Sequence, residues 1–305
     1  ENERVQNRDL TTRRWGMPWA AEKKVEVVKQ DPESWAILTA YADGVNAYIA
    51  SLSKLEYPVE YKVLDIAPEL WTPLKTSQLH MNMARTLAGG SSDDRTSNTL
   101  AYFGEEFIDT FFKTKPEMLE PIIPPSRTWD FNAKQPEAPE KTFIPKTAER
   151  IQFFEPDAGV GSNNWAVHGS KTKSGNPILA GDPHLQLTMP SIWMEQQLHA
   201  PGYNAYGVGF QGIPGILIGF NEHIAWSETN TGSDVMDWYE IRFKDSSKNE
   251  YWYDDEWHPT TKRVEEIAVR DGEPIIDTLV FTHHGPVMLA NPEDTVNPPV
   301  YHAMR

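Results

Sequence analysis

The sequence lacks cysteine entirely among its 305 residues, which excludes disulfide bonds, thiolate nucleophiles, iron–sulfur clusters and zinc held by sulfur. Basic residues are also scarce, since 28 Lys and Arg stand against 44 Asp and Glu and give a formal net charge of -16. Nucleic-acid binding depends on contacts between basic side chains and phosphates, so no nucleic-acid partner is expected. No apolar run approaches the roughly 20 residues that a membrane span needs, and no membrane partner is expected either.

The two ends of the chain indicate a piece of a longer protein. Glu1 begins the chain without an initiator Met or a signal peptide. The last residues, 301–305, follow an apolar, proline-containing run and form no closing helix or polar tail. Hydrophobic residues make up 39% of the sequence, which is enough for one large or two medium cores.

Helical signals concentrate in the first part of the chain. Asp31 is a capping residue and Pro32 suits the first position of a helix, so a helix is predicted from there to about Leu52. Two further helices are predicted over residues 74–88 and 98–112. The last of these carries an apolar stripe at helical spacing, which is interpreted as core and consists of Leu100, Phe103, Phe107 and Phe111.

Prolines interrupt every periodicity between residues 115 and 161, which is typical of an exposed connector. Beyond Gly161 the pattern changes to short strands bounded by turn residues. Seven strands are predicted to form a mostly antiparallel sheet, at residues 164–168, 177–181, 192–199, 203–209, 216–220, 224–229 and 237–243.

Ser162 lies between the proline-rich connector and the first predicted strand, a placement that singles it out among the serines. Serine hydrolases with an internal nucleophile commonly display it in a Gly-x-Ser-x-Gly elbow, and that motif does not occur in this sequence. Ser162 is therefore not a nucleophile of that kind.

Short blocks around and after this serine occur in one order. They read Gly161-Ser162-Asn163-Asn164-Trp165, Gly181-Asp182-Pro183-His184, His199-Ala200-Pro201-Gly202-Tyr203, Ile213-Pro214-Gly215, Gly219-Phe220-Asn221, Ala225-Trp226-Ser227 and Asp234-Val235-Met236-Asp237. In these blocks, and more weakly in residues 41–47 and 71–73, the chain resembles the penicillin acylase family of N-terminal-nucleophile hydrolases.

The resemblance implies an α+β fold, the αββα sandwich of these hydrolases. It divides the chain into a helical α-chain segment (1–130), a spacer (131–161) and the start of the β chain (162–305). The resemblance also implies that the precursor cuts itself between Gly161 and Ser162. Ser162 would then be the N-terminal nucleophile, and the α and β chains would be partners of one another. The new α-amino group has a pKa of about 7.7 to 8, so it can accept the hydroxyl proton of its own residue.

The resemblance also assigns the residues around the nucleophile. It implies that the backbone N–H of Asn230 is an oxyanion donor, that Thr229 contacts the substrate, and that His184 lies near Ser162. The family's second oxyanion donor and an arginine fall beyond Arg305 and have no counterpart here. His184 stands where penicillin G-type members have glutamine and where cephalosporin-, aculeacin- and acyl-homoserine-lactone-type members have histidine.

Leu185 and Ile218 match positions where penicillin G acylases carry phenylalanines that line the acyl pocket. Two aliphatic side chains suit an acyl chain better than an aromatic ring, which argues against penicillin G as the substrate. A second interpretation, that both residues simply belong to the core, stays open.

A calcium site is implied at Asp234, Asp237 and the backbone carbonyl of Met236. Calcium prefers six to eight oxygen ligands, so these three are too few. The family adds a carboxylate from the α chain, and Asp93 or Asp94 are candidates for it. The pair His283-His284 is interpreted as structural, because no cysteine or helical histidine pair accompanies it.

The resulting hypothesis is a hydrolase whose small-molecule substrates are linear amides. The amine part of the substrate would be a β-lactam nucleus, a homoserine lactone or an amino acid. One alternative is an acyl-homoserine-lactone acylase. An alternative of another class is a calcium-stabilised secreted binding protein without turnover. The family implies a periplasmic or secreted location.

Overall fold

The computed structural model describes residues 3–90, 93–112, 126, 161–185, 187–230, 235–270, 272–289 and 298–305. The chain divides into two compact units. Unit 1 consists of Glu1–Gly90, Phe153–Val235 and Glu265–Asp277, and unit 2 consists of Ser91–Gln152, Met236–Val264 and Thr278–Arg305. Helices and sheets both occur in the described ranges, which confirms the α+β class. Among these residues no helix is both long and apolar enough to cross a membrane.

Five described helices belong to unit 1. They are α1 (Glu3–Arg14), α2 (Met17–Val28), α3 (Pro32–Ser51), α4 (Val59–Leu64) and α5 (Pro73–Ala88). The predicted start of α3 is confirmed, because Oδ1 of Asp31 accepts a hydrogen bond from the backbone N–H of Glu33 over 3.2 Å. The prediction over residues 74–88 is confirmed by α5, which begins after a Thr72 cap. Helices α1, α2 and α4 were not individually predicted.

Buried and partly buried polar contacts join the helices of unit 1. Oγ of Ser77 on α5 donates to the carbonyl of Ala21 on α2 over 2.9 Å. The amide of Asn46 on α3 makes two hydrogen bonds with the backbone of Trp71, of 3.0 and 2.7 Å. The hydroxyl of Tyr41 accepts a 3.1 Å hydrogen bond from the N–H of Gly212. These bonds therefore tie the helices to each other and to the strand region of the same unit.

The third predicted helix is instead two helices of unit 2, α6 (Asp93–Phe103) and α7 (Glu105–Phe111). Gly104 separates them with a φ of 81°, a left-handed conformation that glycine adopts readily. Phe107 stacks with Phe103 and contacts Phe111, both at 4.6 Å between ring centroids. The interpretation of the stripe as core is wrong for the described residues, because Phe103 and Phe111 are 64% and 69% exposed.

Two antiparallel sheets lie in the strand region of unit 1. Strands β1 (Asn163–Val167) and β2 (Ile178–Asp182) form the first, with Asn163 opposite Asp182. The second has the order β3-β4-β5-β6, from β3 (Trp193–Ala200), β4 (Tyr203–Phe210), β5 (Ile218–Phe220) and β6 (Ala225–Trp226).

Unit 2 contains β7 (Trp238–Glu240), the hairpin of β8 (Glu250–Tyr253) and β9 (Glu256–Pro259), and strands β12 (Pro286–Leu289) and β13 (Tyr301–Met304). A five-stranded sheet has the order β10-β11-β12-β13-β7, where β10 spans Thr261–Ile267 and β11 spans Ile275–Phe281. A small core of Ile241, Tyr251 and Ala303 packs beside this sheet.

Each of the seven predicted strands has a counterpart in β1 to β7. The prediction of one sheet is wrong, because these strands are divided among three sheets of the described structure. In the described structure β1 and β2 pair only with each other, and residues Trp238 to Glu240 of β7 pair with β13 rather than with β6. A strand from the end of the chain thus supplies the partner that the local pattern could not reveal.

Candidate active site

The backbone of β1 and β2 brings Ser162 next to His184. Ser162 precedes β1 and His184 follows β2, and the antiparallel register that places Asn163 opposite Asp182 makes their neighbours adjacent as well. The backbone N–H of His184 donates a 3.1 Å hydrogen bond to Oγ of Ser162. The structure thus places His184 beside the candidate nucleophile, and its role in catalysis stays a prediction.

The imidazole of His184 lies close to the carboxylate of Asp182, two residues earlier. Nε2 of His184 lies 3.0 Å from Oδ2 of Asp182, and both side chains are partly open to solvent. Asp182 was part of a sequence motif, yet no role was predicted for it; the Asp-Pro-His spacing is the signal for this contact.

A close approach at Gly181 packs β2 against the second sheet of unit 1. A β-carbon at Gly181 would clash with Oγ and Cβ of Ser227 and would lie 3.9 Å from Cγ2 of Ile218. Ile218 therefore lies beside the strand that leads to His184. Leu185 is partly buried directly after His184. The roles of Leu185 and Ile218 toward an acyl group stay predictions.

The candidate oxyanion residue lies in the segment after β6. Nδ2 of Asn230 donates a 2.5 Å hydrogen bond to the carbonyl of Leu87 in the last turn of α5. This bond fixes a residue of the predicted β chain to a helix of the predicted α chain. The sequence pattern did not indicate it, because the proposed role of Asn230 uses only its backbone. That role, and the substrate contact of the exposed Thr229, stay predictions.

The predicted calcium site is only partly described. Asp234 and the side chain of Asp94 lie outside the described residues. The backbone of Asp237 exchanges two 3.0 Å hydrogen bonds with Arg305. Its exposed carboxylate is a hard oxygen donor of the kind that calcium takes, as is the carbonyl of Met236. Within the described ranges no group of three or more His, Asp or Glu side chains is arranged to hold a metal ion. The residues are chemically suitable but too few by themselves.

The pair His283 and His284 packs among aromatic rings of unit 2. The His284 ring stacks on Tyr239 at 4.0 Å, and Nδ1 of His283 lies 2.7 Å from the hydroxyl of Tyr251. Burial and the neighbouring His283 and Arg305 lower the pKa of His284 to about 4. Burial also lowers the pKa of His283. This packing agrees with the structural role predicted from the sequence.

The described chain is thus an α+β protein in which Ser162, next to a two-stranded sheet, accepts a hydrogen bond from the backbone N–H of His184, whose ring lies close to Asp182. The sequence profile of the penicillin amidase family matches residues 3–304. The chain therefore belongs to the penicillin amidase family.

The relatives that the chain matches are of two kinds by name, acyl-homoserine lactone acylases and penicillin acylases. The chain is 27% identical to the acyl-homoserine lactone acylase QuiP of Pseudomonas aeruginosa, over 87% of this chain and 31% of the relative. It is 28% identical to the penicillin acylase 2 proenzyme of Pseudomonas sp. strain SE83, over 93% and 36%. It is 21% identical to penicillin G acylase of Escherichia coli, over 88% and 38%. The chain spans about a third of the length of these relatives.

Among solved structures, the chain matches a thermostable penicillin G acylase from Alcaligenes faecalis with a TM-score of 0.42 and 26% identity. The match covers 47% of this chain and 25% of the other.

Proposed function

We propose that the whole protein hydrolyses linear amides, with Ser162 as its nucleophile after self-cleavage between Gly161 and Ser162. The observation that carries this proposal is the hydrogen bond from the His184 N–H to Ser162 Oγ. It occurs at the residue where a β chain would begin, in a chain of the penicillin amidase family. A donor aimed at a serine oxygen stabilises the negative charge that this oxygen gains as it loses its proton.

The reaction follows from the chemistry of an N-terminal serine. Cleavage frees the α-amino group of Ser162, of which a substantial fraction is neutral near its pKa of about 7.7 to 8. This amine takes the hydroxyl proton while Oγ attacks the amide carbon, and the backbone N–H of Asn230 donates to the oxyanion. The proton then passes to the leaving amine. Water attacks the resulting ester, the acid is released and Ser162 is regenerated.

The substrate proposed is an amide with an aliphatic acyl chain. Leu185 and Ile218 supply aliphatic surface. Ile218 lies beside Gly181, which is on the strand β2 that leads to His184. The amine part is a β-lactam nucleus, a homoserine lactone or an amino acid. An acyl-homoserine-lactone acylase is the second candidate, favoured by these aliphatic residues and by the name of the Pseudomonas aeruginosa relative.

Calcium is proposed as a structural ion, bound by Asp234, Asp237 and the carbonyl of Met236 together with oxygen donors elsewhere in the whole protein. An ion that binds only the folded state raises the free energy of unfolding. This gain grows with the logarithm of the ratio of the ion's concentration to its dissociation constant. Added calcium should therefore raise the melting temperature of the whole protein, and Asp237→Asn should remove that increase. Asp245→Asn, which changes an exposed turn carboxylate, is the matched control. A calcium response that persists in Asp237→Asn contradicts this assignment.

The αββα sandwich, with an α-chain segment at 1–130, a spacer at 131–161 and a β chain from Ser162, is part of the same proposal. So is a periplasmic or secreted location, which cell fractionation tests. The proposed cleavage makes the α and β chains partners of one another. The bond between Asn230 and Leu87 would then cross from one chain to the other.

The test of the chemistry is to trap the acyl group. The whole protein is mixed with phenylacetyl and straight-chain acyl p-nitrophenyl esters, quenched, digested and examined by mass spectrometry. We expect an acyl adduct on the peptide that begins with Ser162, larger for the straight-chain ester, and none in Ser162→Ala. An adduct on another residue, or an equal adduct in Ser162→Ala, rejects Ser162 as the nucleophile.

A further inference from the structure

Gly212 is buried directly after β4, in a socket formed by side chains of the helical segment. The socket consists of Tyr41, Trp71 and Leu79, which all lie in the range 1–130 predicted for the α chain. A β-carbon at Gly212 would lie 2.8 Å from Cδ1 of Leu79, and 2.8 and 2.9 Å from Cζ2 and Cη2 of Trp71. The N–H of Gly212 donates a 3.1 Å hydrogen bond to the Tyr41 hydroxyl. The socket therefore fits a residue that has no side chain.

Contacts within the helical segment hold the Trp71 side of the socket. The side-chain amide of Asn46 bonds to both the backbone N–H and the carbonyl of Trp71, at 2.7 and 3.0 Å. The ring N–H of Trp71 donates over 2.9 Å to Oγ1 of Thr76, a buried residue of α5. Leu79 lies on the same helix. Because these partners all belong to the helical segment, the socket is preformed, and a preformed site loses little conformational entropy when it is filled.

Three sequence blocks that carry the family resemblance meet at this socket. Tyr41 and Asn46 lie in the block 41–47, and Trp71 begins the block 71–73. Gly212 directly precedes the block Ile213-Pro214-Gly215 of the predicted β chain. The reaction proposed above uses none of these residues, so the socket has a different role.

We infer that the socket is the surface by which the α chain retains the β chain after the chain is cut before Ser162. The inference rests on the proposed function for that cut. In the uncut chain the connector keeps both segments at a high effective concentration, so even a weakened socket stays filled. In the cut protein the same weakening lets the two chains separate on dilution.

The socket is a better candidate for this role than the bond between Asn230 and Leu87. That bond also joins the two predicted chains, but it is an exposed contact. Gly212 is buried, and its N–H bond to Tyr41 is partly buried. Contacts that exclude water contribute most of the affinity at an interface. Substitutions at the socket should therefore weaken chain association strongly.

The first experiment compares Gly212→Ala with Gly202→Ala in the self-cleaved whole protein. The two glycines have similar positive φ values, 88° and 79°, so alanine strains the backbone alike at both. At Gly202 no described atom lies within 4 Å of the new β-carbon. An affinity tag on the α chain retains the β chain, and a dilution series gives the dissociation constant of the two chains. We expect this constant to rise at least about tenfold in Gly212→Ala and to change less than about twofold in Gly202→Ala.

The same substitutions in the Ser162→Ala background separate chain association from folding. The uncut Gly212→Ala chain should be folded, with a stability that does not depend on protein concentration. Tyr41→Phe decides if that chain does not fold, because it removes only the hydroxyl that accepts from Gly212. It should raise the dissociation constant of the cut chains about fivefold, since a buried N–H loses its acceptor.

Two results overturn the inference. One is an equal rise of the dissociation constant in Gly212→Ala and Gly202→Ala, which would assign the effect to backbone strain. The other is an unchanged constant in Gly212→Ala or, where that variant does not fold, in Tyr41→Phe.

The inference can also be tested without self-cleavage. A wild type that stays uncut rejects the proposed function. A protease recognition sequence inserted within residues 131–161 of the Ser162→Ala protein then supplies the cut. After proteolysis the chains of Gly212→Ala should separate at concentrations where those of its parent stay together. Chains that stay together to the same dilution in both proteins overturn the inference.

Discussion

The backbone N–H of His184 and Oγ of Ser162 are joined by a 3.1 Å hydrogen bond across 22 positions of the sequence. The bond depends on the pairing of β1 with β2, which places the residue before one strand beside the residues after the other. Any change that displaces β2 should therefore move the His184 N–H away from the serine. This relationship links the stability of a two-stranded sheet to the geometry of the candidate site.

Gly181→Ala should disturb the site through β2. The added β-carbon would clash with Ser227, whose Oγ is buried and makes no hydrogen bond to the described residues. Overpacking of this kind costs about 1–3 kcal/mol. We expect a lower urea midpoint and a shifted His184 amide signal.

The double variant Gly181→Ala with Ser227→Gly is the rescue. It removes the two atoms with which the new β-carbon would clash, so the His184 signal should return. Gly44→Ala is the control, since nothing lies within 4 Å of a β-carbon there. In the middle of α3 it should stabilise by about 0.5–1 kcal/mol. A His184 signal that is unchanged in Gly181→Ala contradicts the packing described.

Asn230→Ala should lower turnover although the backbone N–H remains. The variant loses the 2.5 Å hydrogen bond to the Leu87 carbonyl and frees the segment of the proposed oxyanion donor from α5. Loss of a whole oxyanion donor costs 10²- to 10³-fold in kcat, and we expect about tenfold here because the donor is only displaced. Steady-state kinetics of the whole protein measure this effect.

Asn204→Ala is the comparison for Asn230→Ala. It removes an amide that donates to Glu222 over 2.6 Å on the exposed side of β4. Its kcat should equal that of the wild type. Equal rates for Asn230→Ala and Asn204→Ala would show that the bond to α5 does not support turnover.

The sequence predicted local features well where one or two residues determine them. The Asp31 cap, the start of α5 and the existence of β1 to β7 all follow from residues close in sequence. The break at Gly104 was missed because the spacing of the phenylalanines continues across it. The partner of β7 was missed because strand pairing depends on residues about 60 positions away, which no local pattern encodes.

The site was predicted in a similar way. The sequence motifs indicated Ser162 and His184, and the structure joins them. The contacts of Asp182 with His184, of Asn230 with Leu87, and of Gly181 with Ser227 were not predicted. The last two depend on distant segments that approach one another in the folded chain. The first is local, and the Asp-Pro-His spacing is its only signal in the sequence.

Arg13→Ala should destabilise the chain much more than Arg14→Ala. Arg13 pairs with Glu265, whose side chain is only 5% exposed, whereas Arg14 pairs with Asp277 in a more exposed bridge. Removing the partner of a buried charge costs about 3 kcal/mol, whereas an exposed pair contributes less than about 1 kcal/mol. Urea denaturation of both variants measures the difference, and equal losses contradict this assignment.

Folding stability should depend on pH through His284. Its pKa is about 4 in the folded chain against an ordinary value of 6.5. Between these values the unfolded chain binds more protons, so stability rises from pH 4 to pH 6.5 and is lost as the pH falls. A pKa shift of this size corresponds to a change of roughly 3 kcal/mol in the free energy of unfolding for a fully buried group. Solvent screens this partly exposed ring, and we expect about 1 kcal/mol.

His284→Phe isolates this contribution. Phenylalanine keeps a ring against Tyr239 and cannot be protonated. Denaturation at pH 4 and pH 6.5 should show a smaller rise in stability for the variant than for the wild type. The same rise in both proteins would assign the pH dependence to other groups.

Self-cleavage before Ser162 is the central claim, and the intact mass of the whole protein with N-terminal sequencing tests it most directly. We predict a chain that begins Ser-Asn-Asn-Trp-Ala-Val-His in the wild type and an uncut chain in Ser162→Ala. If both proteins fold and both stay uncut, the claim is contradicted, and a secreted binding protein without turnover becomes the better account.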